Sequence, residues 1–320
     1  MLVLNQNDLI GLLPPLAVVD AVEAALRAHS TGGIVAPARL HLHWDDHTLL
    51  AMPAATKTAA AVKVVSVVPS NASRNLPVTI GAMLLSDGTT GAPLAILNSS
   101  ALTAQRTGAV GSLGVKYLTP TNIHSVGIVG CGTQAAWQAI YACAVRPIEE
   151  IFVYSRSTSS LERFAEVVNR HARGVKITAC RSTHELLERT TLIVTATTSS
   201  EPVIPDEPSL LENKHFISVG SFRPTMQELP SSVYRLAGQL AVDSEHAIHE
   251  VGDVINPVKA GLLRDSDVFF IGECVTGKRV VDTSRTTAYK SVGAAMYDLF
   301  VAEAFYRAAK TRGVGTEVAL

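Results

Sequence analysis

The segment "VGIVGCGTQA", residues 126–135, constrains the fold more than any other stretch. An apolar run enters a glycine turn and continues into small residues suited to a helix. Gly130, Gly132 and Ala135 match G-x-G-x-x-G/A. In that pattern the first glycine permits a tight turn and the second lets backbone approach a pyrophosphate. The alanine lets helix and strand pack closely. The helix start presents unpaired N–H groups and a partial positive charge. The bland alternative is a tight turn without a ligand. Strand and helix patterns continue beyond the turn, and that context favours a dinucleotide.

The second strand of such a unit discriminates between cofactors. An NAD site places Asp or Glu about 20 residues on, for the ribose 2′-hydroxyl. Here the strand ends "FVYSRSTSS", with Ser155, Arg156 and Ser157 and no acid. Arg156 can pair with a 2′-phosphate and the serines can donate to it. The expected cofactor is NADP(H), with NAD(H) as the second choice. The alternative reading leaves Arg156 as a solvated loop residue.

Strands are expected at 125–129, 151–154, 175–179, 192–196, 215–219 and 240–242, with helices between them, for example 160–173 and 182–188. This alternation predicts an α/β fold, a Rossmann doubly wound parallel sheet. The N-terminal part differs. The helical pattern in "PPLAVVDAVEAALRAHSTGG" puts Val18, Val22, Ala25 and Leu26 on one face and stops at glycines. The strand patterns "ARLHLHW", "TLLAMPA", "AAVKVVSVV" and "GAMLLSDGTTGAPLAIL" follow, the last a hairpin turning at residues 87–91. A helix is expected over 101–117, capped by Ser99 or Ser100. The closing "TAYKSVGAAMYDLFVAEAFYRAAKTRG" reads as one amphipathic helix packing back on the first part. The expected organisation is therefore a discontinuous α+β domain, 1–118 with 290–320, around a dinucleotide domain, 119–289.

The net charge of −1 offers no basic excess for a nucleic-acid backbone. "AAAVKVVSVV" is too short for a membrane span, and "MLVLNQNDLI" lacks the basic start of a signal peptide. Four scattered cysteines without a CxxC pair suit free thiols in a reducing compartment, and a cytoplasmic protein is expected. "HLHWDDH" is not a zinc spacing, so no metal is expected.

Three cations stand where cations are expensive. Lys63 interrupts an apolar strand, and burying an unpaired ammonium costs several kcal/mol. Its bland reading is an edge-strand lysine reaching solvent. Arg106 shares a helix face with Leu102, Ala109, Leu113 and Tyr117, so its guanidinium needs an anion; a structural carboxylate is the alternative. Arg39 opens "ARLHLHW" on its polar face, where simple exposure also accounts for it. Together they point to an anionic substrate, and Arg prefers a planar carboxylate.

"PARLHL", "TLLAMPA", "VKVVS", "LTAQRTGAVGSL", "VGIVGCGTQA", "VTATTS", "VGSFRPTMQEL" and "YKSVGAAMYDL" stand in an order and spacing that resembles the ornithine cyclodeaminase/mu-crystallin family across essentially the whole chain. The resemblance implies a substrate and dimerisation domain beside a Rossmann domain, and a homodimer. It implies that Arg39, Lys63 and Arg106 hold the substrate carboxylate. It also implies that Thr107, Ser291 and residues 219–221, including Val219 and Ser221, approach the nicotinamide. Thr133, Gln134, Thr195 and Ala196 lie in the matching segments and complete the expected cofactor set.

Departures from the family's cyclodeaminases narrow the activity. Those place a glutamate before "MP" and an aspartate in the fifth-strand loop, where this chain has Leu50 and Phe222. Cyclodeamination needs such acid/base groups. "GSFRPTMQEL" is instead similar to the cyclic ketimine reductases of the family. These reduce Δ1-pyrroline-2-carboxylate and Δ1-piperideine-2-carboxylate to L-proline and L-pipecolate. Lys63 is then the candidate catalytic residue. The remaining readings are an amino-acid dehydrogenase, for example for alanine, and a crystallin-like binding protein without turnover.

Overall fold

A chain that switches from alternating strands to strand–helix units builds two kinds of sheet, and both are present. The computed structural model describes residues 1–157 and 159–319. It divides into two compact units, Met1–Arg106 with Ala294–Leu320, and Thr107–Gly293.

The chain begins with β1 (Leu2–Leu4), α1 (Gln6–Leu9) and α2 (Pro15–Ser30). Five strands follow: β2 (Leu40–Trp44), β3 (His47–Ala55), β4 (Ala59–Val67), β5 (Thr79–Asp87) and β6 (Pro93–Asn98). Helix α3 (Ser99–Leu118) leads to β7 (Ser125–Val129), α4 (Thr133–Val145), β8 (Glu150–Tyr154), α5 (Ser159–His171), β9 (Lys176–Ala179), α6 (Thr183–Arg189) and β10 (Leu192–Thr195). Next come α7 (Pro208–Leu211), β11 (His215–Ser218), α8 (Ser231–Ala237), β12 (Leu240–Val242), α9 (Ala247–Glu250) and α10 (Gly252–Lys259). The chain closes with β13 (Val268–Phe270), α11 (Gly272–Val275), β14 (Thr287–Lys290), α12 (Ala295–Arg312) and β15 (Thr316–Glu317).

The first unit holds a seven-stranded sheet in the order β15-β1-β6-β5-β4-β3-β2. Its pairs are antiparallel except β1 with β6. Period-two alternation gives the sheet two unlike faces. Lys63 pairs with Met52 on one side and Met83 on the other, so these three share a face. Helix α12 packs across β3, β4 and β5 and against α2. In α2 the stripe Val18, Val22, Ala25 and Leu26 is fully buried, as its spacing predicts. On the opposite face of the sheet, Leu40, Leu42, Val64 and Ile80 are exposed. Strand β2 is exposed along its whole length, not half-buried as its alternation predicts. The pattern records only that one face is apolar; it does not supply the surface that covers it.

The second unit is an eight-stranded, all-parallel sheet in the order β13-β12-β14-β11-β10-β7-β8-β9. Strand order reverses between β7 and β10, the position where such sheets open a crevice at their carboxyl ends. Three findings differ from the sequence reading. "TAYK" is strand β14, inserted between β11 and β12, and the final helix starts only at Ala295. Its four buried residues satisfy a strand as well as a helix, and only the neighbouring strands decide. The short strands β1 and β13 carry too few residues to show a period. Helix α3 is capped by Asn98, whose Oδ1 accepts from Ala101 N at 2.9 Å; Ser99 and Ser100 lie inside the helix.

Among the described residues, no helix is long and apolar enough to cross a membrane. The carbonyl end of α3 is closed by a buried cation. The Arg146 guanidinium donates to the carbonyls of Lys116 (2.7 Å), Thr119 (3.0 Å), Pro120 (3.0 Å) and Val145 (2.9 Å). It satisfies groups a helix end leaves unpaired. Replacing it by methionine keeps the length and strands these oxygens. Arg146→Met is expected to lose about 2–3 kcal/mol of unfolding free energy, measured by denaturant titration.

Candidate active site

In the first unit, one buried carboxylate gathers two of the three predicted cations. Lys63 Nζ donates to Asp298 Oδ2 at 2.6 Å, and Arg106 Nε donates to Asp298 Oδ1 at 2.9 Å. All three side chains are buried. The edge-strand reading of Lys63 is therefore overturned, because β4 lies between β3 and β5 and the residue is 2% exposed. The structural carboxylate weighed for Arg106 exists, but it is shared. Asp298 takes only Nε of the guanidinium. Among the described residues, the two terminal amino groups of Arg106 have no hydrogen-bond acceptor. That planar edge matches a carboxylate in two-point geometry.

Burial lowers the Lys63 ammonium to about 8; Asp298 opposes the shift, while the Arg106 and Arg39 charges add to it. Burial alone pushes the Asp298 carboxyl up, but Arg106 and Lys63 outweigh this and hold it below the usual range. Arg39 stands half-buried immediately before β2 instead of opening it, and its charge reaches Lys63. Leu50 is half-buried on the Lys63 face, opposite Val65. Asp298 escaped the sequence reading. Its signal was an acid inside the apolar run "MYDLFVAEAF", facing two cations that lacked an anion.

In the second unit, β7 ends at Val129 and the turn follows. Gly130 adopts φ +106°, a left-handed conformation that excludes most side chains, and its N–H donates to Tyr154 O at 2.9 Å. A Cβ there would lie 2.7 Å from Ala196 O. Gly132 differs: nothing stands within 4 Å of its Cβ position, so a ligand has room to meet the backbone. It begins α4 without a side-chain cap, leaving the first amides of Thr133, Gln134 and Ala135 directed outward. Ala135 is fully buried against the sheet.

At the end of β8, Ser155 Oγ accepts from Cys131 Sγ at 2.8 Å and from Ser157 N at 3.2 Å. Its own O–H remains a donor. Arg156 and Ser157 are exposed beside it. Gln134 Oε1 and Thr195 Oγ1 are buried without a hydrogen-bond partner in the structure. Orphaned polar atoms, open space at Gly132 and an uncapped helix start together fit a dinucleotide.

The strand-end residues are less uniform. Ala196 and Val219 are half-buried at the ends of β10 and β11, and Val219 N donates to Thr195 O at 2.9 Å. Thr107 O accepts from Gln138 Nε2 at 2.9 Å. Ser221 and Ser291 donate their hydroxyls to Asp253 (2.6 Å) and Asp243 (2.9 Å), so their protons are committed inward and only lone pairs remain. Phe222 is 55% exposed with the Arg223 guanidinium over its ring. The acids Glu228, Asp243 and Asp253 and the cation Lys290, all fully buried, were not anticipated. Asp243, Asp253 and Lys290 adjoin Ser or Gly and Glu228 stands two residues before Pro230, so local spacing marks none of them as buried.

Residues 2–313 match the model of the ornithine cyclodeaminase/mu-crystallin family. A Δ1-pyrroline-2-carboxylate reductase from Bacillus cereus is 35% identical over 326 residues, covering 99% of each chain. The solved Thermococcus litoralis Δ1-pyrroline-2-carboxylate reductase, in complex with NADH and L-proline, superimposes with a TM-score of 0.91. It is 34% identical and covers 99% of this chain and 100% of its own. An archaeal alanine dehydrogenase dimer with bound NAD gives 0.90 at 28% identity, covering 100% and 99%. With both folds, the glycine turn and near full-length identity in agreement, the chain belongs to the ornithine cyclodeaminase/mu-crystallin family.

Proposed function

We propose that the protein is an NADPH-dependent reductase of a cyclic ketimine carboxylate. The substrate is Δ1-pyrroline-2-carboxylate or Δ1-piperideine-2-carboxylate, and the product L-proline or L-pipecolate. The observation that carries this reading is the Lys63–Asp298–Arg106 trio. One carboxylate serves two buried cations, and the terminal edge of Arg106 is left for a second, external carboxylate. The reductases of Bacillus cereus and Thermococcus litoralis support the same chemistry.

Arg106 and Arg39 hold the substrate carboxylate, with Lys63 beside it. A nicotinamide held by the second unit would supply the hydride for C2 of the imine, with the C=N electron pair passing to nitrogen. That nitrogen must carry a proton beforehand, and Lys63, held near 8, can supply one at neutral pH. Leu50 and Phe222 add no competing acid, so the amine product meets no group that drives further ring chemistry. Ser155, Arg156 and Ser157 hold the adenosine 2′-phosphate, since this corner offers donors and no carboxylate. The first amides of α4 hold the pyrophosphate.

The exposed apolar face of the first sheet, with Leu40, Leu42, Val64 and Ile80, is the surface we assign to a second copy of the chain. The alanine dehydrogenase neighbour is itself a dimer. The free cysteines suit the reducing cytoplasm.

Each of these assignments has its own test. NADPH oxidation with Δ1-pyrroline-2-carboxylate is expected to proceed without ammonia; dependence on pyruvate plus ammonia would instead indicate an amino-acid dehydrogenase. The kcat/KM of reduction is expected to fall above pH about 8, as Lys63 loses its proton. Lys63→Ala removes that limb and costs far more turnover than NADPH affinity, while Asp298→Asn moves the limb to lower pH by removing the anion that favours the charged lysine. Arg156→Ala is expected to raise KM for NADPH about tenfold and leave KM for NADH nearly unchanged. Leu42→Asp is expected to shift the dimer to monomer in light scattering.

A further inference from the structure

The segment "GSFRPTMQEL" carries, next to its last position, an acid that the site so far leaves without a task. The Glu228 carboxylate is fully buried and accepts hydrogen bonds from two separate loops. Oε1 accepts from Thr197 N (2.7 Å) and Thr197 Oγ1 (2.8 Å), just beyond β10. Oε2 accepts from Gly220 N (2.6 Å) and Ser221 N (3.2 Å), just beyond β11. The Ser218 hydroxyl bridges Oε2 (3.0 Å) and Asp253 Oδ2 (2.9 Å) and accepts from Lys290 Nζ (3.2 Å). One carboxylate thus ties together the loops at the carboxyl ends of two adjacent parallel strands. The loops also meet directly: a Cβ on Gly220 would stand 2.0 Å from Thr197 O.

The clamp is itself held. Asp253 accepts from Glu228 N (3.1 Å), Leu229 N (3.0 Å), Tyr234 OH (2.8 Å) and Ser221 Oγ (2.6 Å). Lys290 supplies the counter-charge, 3.9 Å from Asp253. Buried acids persist only when paired and hydrogen-bonded, so this network is stiff. It lies on the β10–β11 side of the strand-order reversal, opposite the glycine turn that takes the pyrophosphate. The loops it joins therefore flank the far half of a bound dinucleotide.

We propose that Glu228 is a positioning residue for the nicotinamide half of the cofactor, acting by fixing the separation of the Thr197 and Gly220–Ser221 loops. This rests on the dinucleotide reading of the proposed function. Hydride transfer is steep in distance, and a 1 Å misplacement costs on the order of 100-fold in rate. Glu228→Asp keeps the charge but is one methylene too short to reach both loops. Glu228→Gln keeps the length but turns an amide N–H toward the donors of one loop.

The experiment compares both variants with the unaltered protein in amide exchange and in binding. In Glu228→Asp, exchange at Thr197, Gly220 and Ser221 is expected to quicken while residues 126–135 keep their protection. Affinity for 2′,5′-ADP, which lacks the nicotinamide, stays within about twofold, NADPH binds about tenfold more weakly, and kcat falls about 100-fold. In Glu228→Gln, the weakening is confined to one loop. NADPH affinity and kcat that persist despite loosened amides would overturn the proposal, and so would an equal loss of 2′,5′-ADP, which marks general damage. If the unaltered protein prefers NADH, the comparison is NADH against ADP-ribose. If it reduces no imine, the reductase reading fails, while the exchange and binding comparison still decides the role of Glu228.

Discussion

The shared carboxylate of Asp298 is the interaction on which the first unit depends. Two cations from distant parts of the chain, Lys63 on β4 and Arg106 on α3, are buried against a single acid on α12. Removing such ions from water is expensive, and the attraction offsets that cost only with good geometry. Each oxygen serves one cation, and the trio keeps one net positive charge while Lys63 is protonated. The same contact fastens the last helix across the sheet. It leaves unused donors on Arg106, which is the condition for an outside anion to bind tightly. In the proposed reading, the structural trio and the substrate-carboxylate site are one arrangement.

The second unit uses charge in the opposite sense. A parallel sheet ends in loops whose N–H groups need acceptors. Glu228 supplies them for the Thr197 and Gly220–Ser221 loops. Asp253 holds the Glu228 and Leu229 amides, and Asp243 holds those of Val292 and Gly293. The acids are turned inward to hold backbone, while the glycine turn and the Ser155–Arg156 corner offer donors outward. Burial lowers the Lys290 ammonium below its ordinary value, although Asp253, Glu228 and Asp243 oppose the shift. The glycine turn and the Ser155–Arg156 corner thus present N–H and guanidinium groups, while the carboxylates are spent behind the loops they organise, which is the arrangement the proposed dinucleotide needs.

Much of this was legible in residue order. The glycine turn, the missing acid after β8, the stripe on α2 and the hairpin of β5 and β6 follow from local spacing, because turn chemistry and periodicity act over a few residues. Lys63 and Arg106 stood out because a cation in an apolar stripe demands an explanation. The nature of that explanation did not follow, since Asp298 lies 235 residues from Lys63 and 192 from Arg106.

The sequence by itself determined a dinucleotide turn, two sheet types and a set of cations in need of anions. Only the tertiary structure decided that "TAYK" is a central strand, that Asn98 caps α3, that one acid serves two cations, and that Glu228 joins two loops. The physical reason is common to all but the Asn98 cap: a strand's neighbours, an ion's partner and a carboxylate's donors are chosen across long stretches of chain or between strands, where periodicity carries no information. At Asn98 the competition is local, among three adjacent residues able to cap, and the backbone geometry at the end of β6 selects the first.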